Sequence, residues 1–181
     1  NPHFLFNSMN SIYSLALNQS PKTPEIILKL SEIMRYIIYE ANVDYVDLTK
    51  EVEYLQDYID IQELRTNKKA SILFKITGEL INIRIAPLLF FPLVENSFKH
   101  GLKSGAENAF VKIMHTITAS NLRFEIVNSK GDAPDLGETK YKGVGIGNVR
   151  KRLKLVYAGD YTLDIQEKEE IYSVVLKIKL K

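Results

Sequence analysis

The spacing of apolar residues changes once, near residues 66–70, and that change limits the possible folds more than any other feature of the chain. Before it, apolar residues recur every three or four positions, the repeat of an amphipathic helix. After it they alternate, the repeat of a strand with one buried face. In the helical part, Phe4, Leu5, Ile12, Leu15 and Ala16 line a first helix, which Asn18-Gln19-Ser20-Pro21 breaks. Thr23 offers an N-cap to a second helix, with Pro24 and Glu25 in its first turn. Its inward stripe reads Ile26, Leu30, Ile33, Met34, Ile37 and Ala41. After a break at Asn42-Val43-Asp44, Thr49 caps a third helix, with Glu51 and Glu53 near its positive end. Val52, Leu55, Ile59 and Gln62 form one stripe on it, and Tyr54, Tyr58 and Ile61 a second.

Beyond Asn67-Lys68-Lys69, the alternation Ile72, Phe74, Ile76 turns at Gly78-Glu79 into Ile81, Ile83, Ile85, which reads as a hairpin. A helix is expected from about Leu88 to Leu102. Val111–Ile117 and Leu122–Val127 read as a second hairpin, and the polar, Gly-rich stretch 128–147 as a long connection. A helix over Ile146–Tyr157 and strands over Tyr161–Gln166 and Ile171–Leu180 close the pattern. Strands joined by short turns, with helices between them, predict an α+β sandwich: a mixed, mainly antiparallel sheet covered by helices. The expected division is a helical region 1–66 followed by a sandwich domain 70–181.

Composition excludes several classes. The 181 residues carry 24 Lys and Arg against 22 Asp and Glu, a net charge of +2, which argues against direct nucleic-acid binding. There is no Cys, so disulfides, thiolate metal sites and Cys nucleophiles are excluded. No apolar run approaches the ~20 residues that span a bilayer. The chain opens at Asn1-Pro2-His3 without Met or a signal peptide, and reads as a piece of a longer protein with room for an upstream membrane region.

Three stretches carry candidate chemistry. In Asn1-Pro2-His3-Phe4-Leu5-Phe6-Asn7-Ser8, a His beside aromatic residues is usually structural; read functionally, His3 is an imidazole nucleophile near neutral pH. Asn7 lies one turn beyond it on the same helix face, where an amide can position a water or an acyl-phosphate. In Pro92-Leu93-Val94-Glu95-Asn96-Ser97-Phe98-Lys99-His100-Gly101, the apolar half is core. Asn96, Lys99 and His100 share a face, which suits a Mg²⁺ ion and phosphate oxygens better than zinc. In Gly143-Val144-Gly145-Ile146-Gly147-Asn148, glycines open into a helix, where backbone N–H groups can cradle phosphate. The plain alternative is a flexible loop.

In this order, the three stretches resemble the LytS/YehU-type sensor histidine kinases of two-component systems. Asn1–Asn7 resembles that family's phosphoacceptor motif, Pro92–Gly101 its N box and Gly143–Leu153 its G2 box. Leu30–Tyr39 and Leu48–Arg65 resemble the intervening helices, so the similarity covers almost the whole chain. The resemblance implies a GHKL (Bergerat) ATP-binding domain from about residue 70, and a helical dimerisation and phosphotransfer region over 1–66. It implies His3 as the phosphorylated residue and Asn96, as the metal ligand, Lys99, His100, Gly143, Gly145, Gly147 and Asn148 around Mg-ATP, with a lid over Asp132–Lys142. It implies transfer from His3 to an Asp of a response regulator, a homodimer, and a cytoplasmic position below an upstream membrane anchor.

Three departures from the family pattern stand in the sequence. Asn128 occupies the place of the G1-box Asp that binds the adenine amino group. The C-terminal Gly-Thr is replaced by Glu169-Glu170-Ile171. Phe4 follows His3 where many histidine kinases carry an acidic base, which leaves Glu95 as the substitute. The rival reading is a non-catalytic nucleotide-sensing or interaction module with a degenerate G1 box. A GHKL hydrolase is disfavoured, since Pro92 stands where such enzymes carry their Glu.

Overall fold

The computed structural model describes residues 2–65, 70–102, 109–130 and 144–180. Three helices come first: α1 (Pro2–Leu17), α2 (Thr23–Arg35) and, after a two-residue strand β1 (Val46–Asp47), α3 (Leu48–Arg65). Ile26, Leu30 and Ile33 of α2 are buried, as are Leu55, Tyr58, Ile59 and Ile61 of α3, so both stripes read on α3 face inward. Lys29 Nζ joins α2 to α3 through Asp57 Oδ1 at 3.1 Å and Asp60 Oδ2 at 2.7 Å.

A five-stranded sheet follows, in the order β2 (Ser71–Thr77), β4 (Phe110–Ile117), β5 (Asn121–Ser129), β7 (Ile171–Lys179), β6 (Tyr161–Glu167). The β2–β4 pair is parallel and the other pairs are antiparallel. One face is apolar: Val111, Ile113 and Ile117 lie in register with Asn128, Ile126 and Leu122, and Phe124 and Ile126 with Leu176 and Val174. The helices α4 (Phe91–Gly101) and α5 (Val144–Tyr157) pack beside each other, α4 lying on β4 and β5. The expected mixed, mainly antiparallel sandwich is the observed one. A single buried cluster runs from Phe4 to Ile178, so the segments on either side of residues 66–70 share one core.

Several local expectations are corrected. The second helix continues past Arg35 as a π-helical turn, Tyr36–Glu40, closed by Ala41 N–H donating to Tyr36 O at 2.9 Å. The wider turn brings Tyr36 inward and leaves Ile37 42% exposed, against the stripe expected from a constant repeat. Ala16 is exposed too. Thr23 does not cap: its hydroxyl donates to Ser20 O, and the N-cap position is Lys22. Thr49 lies inside α3.

The hairpin expected over 72–85 does not form. Gly78 turns the chain with φ +100°, so close to β4 that a Cβ there would lie 2.2 Å from Ile117 O. Ile81 is exposed, and only β3 (Arg84–Ile85) is extended; it pairs with β1. The fourth helix starts at Phe91, not Leu88, because Leu88 has φ +55° and cannot enter a right-handed helix. The fifth starts at Val144, so Gly145 and Gly147 lie within its first turns and not in a loop. Strand β5 runs on to Ser129 and contains Asn128.

Candidate nucleotide and phosphoacceptor site

Helix α4 is built to hold a polar row above an apolar one. Pro92 opens it, where a missing N–H costs no helical bond. Leu93, Val94, Ser97, Phe98 and Gly101 face the sheet and are buried. Asn96, Lys99 and His100 remain half-buried on the outer face, so the three polar residues expected to share a side do so, with Glu95, also half-buried, beside them. Lys99 and His100 also sit in the last turn, where cations complement the helix dipole.

Other candidate residues meet the two ends of α4. At its start, a Cβ on Gly145 of α5 would lie in ordinary contact with Pro92 Cβ, at 3.5 Å. Gly147 has open space where a side chain would be, and Asn148 is exposed. At its end, Gly101 packs on Asn128: a Cβ at 101 would stand 2.9 Å from Asn128 Cβ and 3.1 Å from its Nδ2. Glycine at 101 is what lets the strand carry a side chain there. Asn128 is fully buried, its Nδ2 donates to Ser129 O at 2.7 Å, and its Oδ1 has no partner among the described residues. Ser129 Oγ anchors the corner by donating to Gly101 O and accepting from Phe110 N, both at 3.0 Å. Gly143 and the expected lid Asp132–Lys142 lie outside the described residues.

A ligand with an amino group fits the unpaired Asn128 oxygen, since a buried acceptor left alone costs about 1–3 kcal/mol. No group of three or more His, Asp or Glu residues suited to a metal occurs among the described residues. Asn96 offers one amide oxygen on the half-buried face of α4, a donor type that Mg²⁺ accepts.

His3 is placed in the first turn of α1, next to the buried Phe4. The Phe4 ring meets Tyr58 of α3 at 4.9 Å, and Tyr58 meets Phe91 at 5.0 Å and Phe98 at 5.8 Å, both on α4. Two ring contacts thus separate the turn that carries His3 from the helix that carries Asn96. Asn7 is half-buried on α1, and its carbonyl accepts from Ser11 Oγ at 3.0 Å.

The family model described as Histidine kinase matches residues 1–70. The sensor protein LytS of Oceanobacillus iheyensis is 33% identical over 182 residues, covering 94% of the chain. The chain matches a part of the LytS-type sensor histidine kinases. It spans 31% of the length of that LytS. The sensor histidine kinase YpdA of Escherichia coli is 32% identical over 165 residues, across 87% of this chain and 29% of its own length. Among solved structures, the catalytic domain of the histidine kinase ThkA superposes with TM-score 0.56 at 16% identity, covering 76% of this chain and 98% of its own. At that identity the likeness speaks for the fold.

Two buried groups escaped the sequence reading of this chain. Glu51 is expected only near the positive end of α3, yet it is fully buried. Its position three residues after Leu48 and four before Leu55, on the apolar stripe, was the available signal. His115 is buried on β4 between Phe74, Phe90 and Phe124, at ring distances of 5.7, 5.1 and 5.0 Å. Burial pushes its imidazole down to about 4, and neither ring nitrogen has a partner among the described residues. It is a neutral core residue, away from the polar row of α4.

Proposed function

We propose that this chain catalyses ATP-dependent phosphorylation of its own His3 and passes the phosphoryl group to an aspartate of a response regulator. The observation that carries this reading is the position of α4. One helix presents Asn96, Lys99 and His100, closes over Asn128, meets Gly145, and touches the ring on which the Phe4 turn rests. In this reading the adenine amino group donates to Asn128 Oδ1. The phosphates lie along Lys99, His100 and the Gly143, Gly145 and Gly147 backbone, with Asn148 at the edge. Asn96 would hold Mg²⁺, which when bound neutralises phosphate charge.

The His3 Nε2 lone pair attacks the γ-phosphorus. A P–N bond forms, the bond to the bridging oxygen breaks with its electrons leaving on ADP, and the imidazole gives up one proton, for which Glu95 is the base. The protein's work is positioning and charge neutralisation. Asn7, one turn beyond His3, orients the later attack on the phosphoramidate. The helical region 1–66 carries the phosphoacceptor, and 70–181 the nucleotide fold. The chain pairs with a second copy through α1, whose Phe6, Met9, Tyr13 and Leu17 form an exposed apolar stripe. A membrane anchor, if the natural protein has one as a sensor, lies outside this chain; no helix among the described residues is long and apolar enough to cross a membrane.

Incubation with γ-labelled ATP and Mg²⁺ tests the reading. Acid-labile, base-stable label should appear in wild type and vanish in His3→Gln, whose ATP affinity should be unchanged. Label that survives in His3→Gln, or ATP binding that never yields label, favours the nucleotide-sensing alternative.

A further inference from the structure

The carboxylate of Glu51 is placed where three parts of the molecule meet. It sits in the first turn of α3, sealed from solvent. One oxygen, Oε1, accepts two bonds: one from Tyr36 O–H, in the π-helical turn that ends the α2 hairpin, and one from the backbone N–H of Leu88. The other, Oε2, is buried with no hydrogen-bond partner among the described residues. Leu88 is the residue with φ +55°, a conformation that a leucine keeps only when its surroundings impose it. Leu89 and Phe90 behind it are fully buried, and α4 begins at the next residue. Two residues earlier, Ala86 N–H donates to Tyr157 Oη of α5 at 2.9 Å. The segment that aims α4 is therefore pinned to α5 on one side and to Glu51 on the other.

The Tyr36 ring adds a second route to the same place. It meets Tyr54 at 4.9 Å with the two rings tilted by 32°, and Tyr54 meets Phe91 edge-on at 5.3 Å. A π-helical turn costs regular hydrogen bonding and is kept mostly where it serves a site. Here it supplies the inward Tyr36 that reaches Glu51. Burial is the leading cause that pushes the Glu51 carboxyl up to about 7, against the Tyr36 bond, the backbone N–H groups of Leu88 and Leu89 and the charge of Arg152. Such a cost at a position with no contact to solvent calls for a role.

We propose that Glu51 is a positioning residue: by accepting from Tyr36 and from Leu88 on one oxygen, it ties the helical hairpin that bears His3 to the entry of the helix that bears Asn96. This rests on the kinase reading for its consequence, since the tie sets where the phosphoacceptor stands relative to the nucleotide. It acts through other residues and touches no substrate.

Three variants of the full-length protein test it: Tyr36→Phe, Glu51→Leu and Glu51→Gln. Tyr36→Phe and Glu51→Leu should bind ATP with a Kd within about threefold of wild type, yet acquire label about ten- to a hundredfold more slowly. Glu51→Gln keeps an oxygen able to take both bonds and should label within about threefold of wild type. Tyr36→Phe keeps the ring contact with Tyr54, so it still reads the tie if Glu51→Leu fails to fold. Wild-type labelling in Tyr36→Phe, Glu51→Gln as slow as Glu51→Leu, or label lost only in proportion to ATP affinity would overturn the proposal. If wild type takes no label, the kinase reading falls alone, and ligand-free hydrogen exchange decides the tie. Tyr36→Phe should then speed amide exchange over residues 88–94 by about tenfold, and unchanged exchange there overturns it.

Discussion

At the scale of single residues, the proposed adenine contact turns on Asn128. Its Nδ2 is spent on Ser129 O and its Oδ1 is left over. Asn128→Asp gives up the donor and buries a carboxylate against a carbonyl, so the ligand-free protein should lose about 1–3 kcal/mol of stability. The charge-assisted bond to adenine should then return about 1 kcal/mol on binding. A thermal melt checks both at once: a lower midpoint without ATP, and a larger upward shift with saturating ATP than wild type shows. A smaller shift would place adenine elsewhere. Asn96→Ala should remove the Mg²⁺-dependent part of ATP affinity with the fold intact; calorimetry with and without Mg²⁺ measures it, and an unchanged Mg²⁺ effect would rule out Asn96 as the ligand.

Among the elements, those with long regular patterns were legible and the short ones were not. Strict alternation from Val111 to Ile117 and from Leu122 to Ile126 predicts the β4–β5 hairpin that is observed. The two stripes of α3 both turn inward for the same reason. The strands β1 and β3 have two residues each, too few for a pattern, and their pairing depends on tertiary approach. Nothing in leucine chemistry announces φ +55° at Leu88, so the start of α4 was misplaced by one turn. For the site, the polar row of α4 could be read from spacing alone, whereas the burial of Glu51 depends on Tyr36 and Leu88 arriving from elsewhere. Helix α1 yields an element-scale prediction. Phe6 and Tyr13 are about two-thirds exposed, at 69% and 67%, on a face turned away from Phe4 and Ser8. Burying that stripe against a second copy in a four-helix arrangement would remove it from water. The full-length protein should sediment as a dimer and its Met9→Glu, Tyr13→Glu variant as a monomer, and a variant dimer of undiminished affinity would exclude this face.

Over the whole molecule, two buried ionisable groups pull stability in opposite directions with pH. Glu51 keeps its proton in the folded state up to about 7, while the unfolded chain releases it near 4.5, so its contribution falls as pH rises through that window. His115 refuses a proton in the folded state down to about 4, while the unfolded chain takes one below 6.5, so its contribution falls as pH drops. Between pH 4.5 and 6.5 the two slopes cancel. Glu51→Gln should leave a urea midpoint that climbs with pH there, and His115→Leu one that declines, each approaching about 1.4 kcal/mol per pH unit. Tyr36, Tyr54 and Tyr157, which lie close to Glu51, are all pushed further up by burial, so none of the three adds a slope across this range. Asp57, also raised by burial, adds one of the same sign as Glu51 in wild type and both variants alike. The strand order has its own consequence for biogenesis. Of the described strands, β7 comes last in sequence yet lies inside the sheet, and β6 has no strand but β7 to pair with among the described residues. A chain emerging from the ribosome presents its helices first, but the edge of β5 stays unpaired until Ile171–Lys179 has cleared the exit tunnel. Until then the nascent protein offers an open apolar sheet edge to whatever chaperone or neighbouring chain is near.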